Sequence, residues 1–257
     1  MRLHLLEIED QPWCPASIRD AATDYLQFIV EQFKPYRAIA PQLAGAIART
    51  DGSRVVDLCS GAGGPWRSLL SDVASRGVRV EVTLTDLYPN AAVMRETNST
   101  EGSRRHYHVA AVDATDVPEA LAGFRTMFAS FHHFAPAAAH RILSDAVSKR
   151  GGIGIFELTE RRPAAMLGML LTPIILWLVT PRIRPFRWSR LFWTYLVPAV
   201  PLVVMYDGIV SCLRTYTPRE LTSMTADLTA YDWDIGTLRV PGVAAAITYL
   251  IGRPRQA

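Results

Sequence analysis

The segment Val55-Val-Asp57-Leu-Cys-Ser60-Gly61-Ala-Gly63-Gly64-Pro65-Trp66 passes from an apolar, β-branched run through an acid into a glycine-rich turn. A helix-like stretch, Pro65 to Arg76, follows it. Such a strand–turn–helix step opens a βαβ unit. Its glycines let backbone approach a ligand closely, and the helix N-terminus offers N–H groups that no helical carbonyl satisfies. Taken alone, a glycine-rich turn says only that a strand meets a helix.

The neighbouring pattern extends the unit. Strands are predicted at Val78–Thr85, His106–Val112, Phe124–Phe131 and Ile153–Leu158, and helices at Ala91–Asn98 and Pro136–Lys149, with Gly151-Gly152 as a turn. Strands alternating with helices of this length imply a parallel sheet buried on both faces. Upstream, Ser17 is placed as an N-cap. Ile18, Ala21, Ala22, Tyr25, Phe28, Ile29 and Phe33 then share one helical face up to Pro35. A second helix runs from Tyr36 or Arg37 to Arg49, and Asp51-Gly52 breaks the chain. Downstream, Thr217-Pro218-Arg-Glu220 is a capping box opening a helix to about Leu228. Strands at Trp233–Val240 and Val243–Ile251, split by Pro241-Gly242, close the sheet as an antiparallel hairpin.

Composition sets the outer limits. The chain has 257 residues, 49% hydrophobic and 20% charged, which allows one large domain and excludes global disorder. Basic residues number 27 and acidic 24, a net charge of +3 that is too mild to signal nucleic-acid binding. Cys14, Cys59 and Cys212 form no CxxC pair, so neither a structural zinc site nor a disulfide framework is expected. Residues 1–10 carry Glu7, Glu9 and Asp10 without an apolar h-region, so no secretory signal is expected and a cytoplasmic setting is.

Later acids give the glycine turn chemical meaning. Asp86 closes the second predicted strand, 25 residues after Gly61, where a carboxylate can hold both hydroxyls of a ribose. Asp113 closes the third, where it can meet the amino edge of an adenine. Each aspartate alone is equally a cap for the next turn. Three in register at the carboxyl edge of a parallel sheet, beside a glycine-rich turn, point to a nucleoside ligand. The indole of Trp66 stands where a dinucleotide fingerprint wants its third glycine, and no Gly-Lys-Ser/Thr phosphate loop is present.

Asp57-Leu-Cys-Ser60-Gly61-Ala-Gly63 resembles the first motif of class I S-adenosylmethionine-dependent methyltransferases, small-molecule branch. The resemblance covers about residues 50–158. It implies a Rossmann-like α/β fold: a doubly wound seven-stranded sheet with an antiparallel last strand, here with N-terminal helices (1–50), a cofactor-binding core (51–159), a hydrophobic helical insertion (160–208) and a C-terminal helix and hairpin (209–257), all one domain. It implies S-adenosylmethionine as cofactor. Asp57, Ser60, Gly61 and Gly63 would shape the methionine pocket. Asp86 would hold the ribose and Leu87 the adenine face. Asp113 and Ala114 would fix the adenine amino group, and Ser130 and Phe131 would lie beneath the sulfonium.

His132 and His133 follow the fourth strand, near where a methyl would leave, and either can serve as a general base. Each can also simply pack or bond to backbone. Methyl transfer from a sulfonium mainly needs alignment, so a dedicated base is not obligatory. No metal site is expected. Trp13 and Tyr25 would cover the cofactor or belong to the core.

Residues Pro163–Pro181 and Leu191–Tyr206 are uncharged runs. Between them lie Arg182, Arg184, Arg187 and Arg190, interleaved with Phe186 and Trp188. Three readings stand: bilayer spans, a segment lying in one leaflet at the inner membrane face, or a lid or dimer surface. The last two favour an apolar or lipid-like small-molecule acceptor. A non-catalytic cofactor-binding module whose insertion docks a membrane or partner protein is the alternative to an enzyme. Asp207, Arg214, Tyr216 and Glu157 are candidate acceptor-binding residues, with an Asp–Arg structural pair as the other reading.

Overall fold

The computed structural model describes residues 2–50, 53–240 and 246–255. The breaks expected at Asp51-Gly52 and Pro241-Gly242 lie outside them. The chain begins with an extended strap and α1 (Ala16–Phe33). A short turn of 3-10 helix and α2 (Ala40–Ala48) follow. The core then alternates β1 (Arg54–Leu58), α3 (Trp66–Ala74), β2 (Glu81–Leu84), α4 (Ala91–Ser99), β3 (Arg105–Tyr107), β4 (Phe124–Phe128), α5 (Pro136–Ser148) and β5 (Ile153–Glu157). The insertion holds α6 (Pro163–Met169), α7 (Thr172–Val179), α8 (Trp188–Leu191) and α9 (Ala199–Arg214). Last come α10 (Pro218–Met224), β6 (Tyr231–Arg239) and β7 (Ala246–Pro254).

The strand order is β3-β2-β1-β4-β5-β7-β6. β1 pairs in parallel with β2 and β4, while β7 lies antiparallel between β5 and β6. The seven-stranded doubly wound sheet with its antiparallel closing strand is therefore present. The direction of winding switches between β1 and β4, the crevice where open α/β sheets take ligands.

Both sheet faces are covered, which is why β5 is apolar up to Phe156 and why β4 is buried even at Arg125 and Thr126. On one face Leu43, Ile47, Leu69 and Val73 pack on Val55, Val82 and Phe156. On the other, Ile142, Leu143 and Leu221 pack on Val56, Met127 and Ile155. α1 joins these layers only through Val30, which packs on the first. Its Ile18, Ala22 and Tyr25 pack with Cys14 against Leu176, Ile183, Val200 and Val204 of the insertion. The insertion and the N-terminal helix thus form a third layer.

Several elements differ from expectation. The second helix is split by the 3-10 turn Pro35–Ile39, because Pro at its start removes an N–H and precedes a second Pro at 41. Phe33, expected on the apolar face of α1, is exposed. Ser17 is not the N-cap of α1; its hydroxyl instead accepts from Trp193 Nε1 at 3.0 Å. β3 stops at Tyr107 rather than Val112, since it lies at the sheet edge with no outer partner and residues 109–111 are exposed. α9 runs on to Arg214, so Asp207, Ser211 and Arg214 belong to the last turns of a helix rather than to a loop after the insertion. The capping box at Thr217 and Glu220 is present. Trp13 is exposed in the turn before α1, and Tyr25 is core.

Candidate cofactor and acceptor site

Asp57 sits inside β1 rather than at its tip and is fully buried. Its Oδ1 accepts from Thr126 Oγ1 at 2.6 Å and Trp66 Nε1 at 3.1 Å, and its Oδ2 from Ser60 Oγ at 2.7 Å. The aspartate therefore braces the glycine turn from below. Burial pushes it up to about 6, against the pull of those three donors. Trp66, which looked too bulky for its position, is completely buried and is one of the braces. Its partner Thr126 gave no signal in the sequence.

The turn itself is built on left-handed backbone. Gly63 has φ +104°, which a side chain would strain, and a Cβ at Gly61 would meet open space. Cys59 and Ala129, leaving β1 and β4, also have positive φ (+56° and +46°). Two adjacent non-glycine residues of this kind, at the switch point, are the sort of strain that clusters at ligand sites.

Asp86 stands at the same edge, two residues beyond β2. Its Oδ2 accepts from the Gly61 N–H and its Oδ1 from the Tyr88 N–H, both at 2.9 Å. Asp113 does not end β3. Instead the Val112 N–H donates to the Asp86 carbonyl at 2.9 Å, which carries Asp113 to the edge beside Asp86. Its exposed carboxylate accepts from the Thr115 N–H and hydroxyl, both at 2.8 Å, a local turn. Ala114 is buried, and Leu87 is exposed with Tyr88 next to it. Ser130 is buried, with its hydroxyl beside the Cys59 thiol.

After β4 the chain turns through Phe131–His133. Glu157, buried at the tip of β5, accepts from the Phe131 N–H (2.7 Å) and from His132 Nδ1 (2.6 Å). That second bond fixes the orientation of the His132 ring, with Nε2 3.9 Å from Glu7 Oε1. His133 Nδ1 meets Glu7 Oε2 at 2.9 Å and Asp10 Oδ2 at 3.1 Å. Burial alone would lower His133, but those two carboxylates outweigh it and push the imidazole up to about 10. His133 is thus held as a cation.

The carboxylates come from the N-terminal strap, which the sequence marked only as charged. Glu7 also accepts from Ser211 Oγ (2.9 Å) and pairs with Arg214 Nη1 (3.1 Å). Arg214 donates to the His133 carbonyl at 2.9 Å. Asp207 caps the strap by accepting from the N–H groups of Ile8 (2.7 Å) and Glu9 (3.0 Å). Tyr216 donates to the Phe134 carbonyl, with the Arg2 guanidinium 4.2 Å from its ring centre. The four candidate acceptor residues are therefore gathered around the β4 and β5 tips, but Asp207, Arg214 and Tyr216 are engaged with the strap, Glu157 holds the turn after β4, and Asp207 and Arg214 do not pair with each other. Glu7, His132 and His133 also present ligand-type atoms within 4.8 Å of one another. Arg214 and His133 already supply the positive charge that Glu7 needs there.

This cluster should respond to base. Burial, reinforced by Asp207 and Glu7, pushes Glu9 up to about 8. Both His133 and Glu9 have folded values above their unfolded ones. Their contribution is complete below the unfolded values and is lost as pH rises through about 8 for Glu9 and about 10 for His133. Proteolysis of the strap should therefore quicken between neutral pH and pH 10, and Asp10→Asn should lower the His133 titration midpoint followed by NMR.

No protein-family model and no curated protein matches this sequence. Solved structures do match its shape. The plantazolicin methyltransferase BpumL, solved in complex with SAH, superposes at TM-score 0.58 and 10% identity, over 96% of this chain and 93% of that one. The fold is that of the class I methyltransferases. Human N-acetylserotonin methyltransferase, solved with SAM, matches at TM-score 0.51 and 13% identity, over 93% of this chain and 56% of that one. The O-methyltransferase NcsB1, solved with SAM and a hydroxy-naphthoic acid, matches at TM-score 0.52 and 16% identity, over 91% and 58%. This chain thus spans little more than half the length of the last two. Within the methyltransferase fold, its glycine turn, Asp86, Asp113 and the His132–Glu157 pair all lie at the carboxyl edge of the sheet.

Proposed function

We propose that the protein transfers a methyl group from S-adenosylmethionine to a small, apolar or lipid-like acceptor. The observation that carries this reading is the joining of Asp86 to the Gly61 N–H at the switch between β1 and β4. The residues present fit the cofactor. Asp86 spends one lone pair per oxygen on backbone and keeps one on each for a diol. Gly61 leaves open space, Ser130 offers a buried hydroxyl, and Leu87 and Tyr88 offer apolar cover for a base. S-adenosylmethionine supplies a methyl group made electrophilic by its sulfonium.

The chain's own part is alignment and proton handling. His132 takes the role of base: Glu157 fixes its tautomer and leaves Nε2 to accept a proton from an acceptor hydroxyl or amine. His133, held protonated, stabilises negative charge nearby instead. Glu7 stands before His132 Nε2, so the strap must shift for an acceptor to reach it.

A labelled-methyl assay against apolar phenols, acids and lipid extracts tests this reading. An acceptor identified there should lose about 10²–10⁴-fold in kcat with His132→Ala, and less with His133→Gln. Cofactor binding without transfer to any acceptor class would favour the non-catalytic module.

A further inference from the structure

The insertion carries the largest feature that methyl transfer does not use. Residues 163–206 contain four arginines and no Asp, Glu or Lys. Leu167, Leu170, Leu171, Ile174, Trp177 and Leu178 are all exposed. Their spacing of three and four places them along one side of α6 and α7. Tyr195, Leu196, Leu202 and Tyr206 are also exposed, Leu196 to 74%. The two halves meet: Trp177 and Tyr195 rings lie 5.6 Å apart, and a shallow groove of about 320 Å³ runs between Ile174, Trp177, Tyr195 and Pro198. A soluble face does not leave this much contiguous apolar surface in water.

The arginines divide by task. Arg190 is buried, bonded to Asp24 and to the carbonyls of Ile183 and Pro185. Arg187 pairs with Asp20 and Asp24. Arg182 and Arg184 are exposed and make no ion pair among the described residues, and Trp188 beside them is 78% exposed. Free cations and an amphipathic aromatic at the rim of an apolar face suit anionic headgroups. Among the described residues no single helix is long and apolar enough to cross a membrane. The two pairs that reach the required length together are bent by 40° and 78°. A second copy fits less well, since a two-fold contact would set cationic rims together without a single acid in the segment to pair them.

We propose that residues 163–206 are a monotopic docking face for an anionic lipid surface, with the apolar side chains among acyl chains and Arg182 and Arg184 on headgroup phosphates. The same arginine loop walls a cavity of about 640 Å³ whose other sides are α1, the Ala62 turn and α4. This surface stands independently of the methyl-transfer reading.

Flotation with vesicles of phosphatidylcholine alone, or mixed with phosphatidylglycerol, tests the proposal, with S-adenosylmethionine titrated into the same samples. The full chain should float with the anionic vesicles and release in high salt. Trp177→Glu with Leu178→Glu, and Arg182→Glu with Arg184→Glu, should each weaken binding about tenfold or more while far-ultraviolet dichroism and the denaturant midpoint stay unchanged. Arg141→Glu, exposed on α5, should change nothing. No flotation of the folded wild type, equal loss with Arg141→Glu, or a stable dimer that Trp177→Glu with Leu178→Glu dissociates would overturn it. Cofactor binding in those samples reports separately on the methyl-transfer reading.

Discussion

Asp86→Ala should weaken S-adenosylmethionine binding by about 3 kcal/mol, roughly a hundredfold in Kd. The carboxylate has four acceptor positions, of which the Gly61 and Tyr88 N–H groups occupy two. The remaining two face outward at the edge of the sheet, and each hydroxyl they would accept is a charge-assisted bond. The side chain is only partly buried, and its loss frees two backbone donors close to solvent. Folding stability should accordingly fall by only about 1 kcal/mol. Asp86→Asn, which keeps one acceptor oxygen, should lie between. Calorimetry beside a denaturant melt separates the two effects: unchanged binding by a folded Asp86→Ala would remove Asp86 from the site.

Asp57→Ala should act on the fold instead, with a loss of about 2–4 kcal/mol in a denaturant titration. It strips the acceptor from Ser60 Oγ, Trp66 Nε1 and Thr126 Oγ1, all buried under the glycine turn. Trp66 keeps a longer bond to Thr126 at 3.3 Å, and Ser60 keeps the Asp57 carbonyl at 2.8 Å, which limits the damage. Asp57→Asn should cost less, because the Ser60 hydroxyl can rotate to accept. The pH response separates both variants from the wild type. Burial raises Asp57 to about 6, so the native state holds its proton more tightly than the unfolded chain. The group's contribution therefore declines as pH climbs through about 6, and both variants should lose that slope. An Asp57→Ala protein as stable as wild type would show that the aspartate does not brace the turn.

Sequence alone made the sheet legible where burial on both faces leaves an apolar run, as in β5 up to Phe156. It overran at β3, because Val109 to Val112 continue the apolar pattern onto an edge where nothing pairs with them. The cofactor edge was legible because its residues are close in sequence and their spacing is fixed by strand and helix lengths. Trp66 was legible only as an obstacle to a dinucleotide. A dinucleotide fingerprint leaves no room for an indole there, whereas this turn uses one as a donor to Asp57. The acceptor side was illegible for a different reason. Glu7 meets Ser211 and Arg214 across some two hundred residues, and no local period or capping rule records such a contact. The four-arginine block looked uniform in sequence. The fold splits it, burying Arg190 against Asp24 and leaving Arg182 and Arg184 exposed, with no ion pair among the described residues.

Calorimetric titration of the purified chain with S-adenosylmethionine and S-adenosylhomocysteine, with NAD as control, tests the cofactor assignment most directly. Saturable binding of the first two with Kd of roughly 1–100 μM, and none of NAD, is the expected result. A folded protein that takes up neither compound, with or without anionic vesicles present, would contradict the methyl-transfer reading.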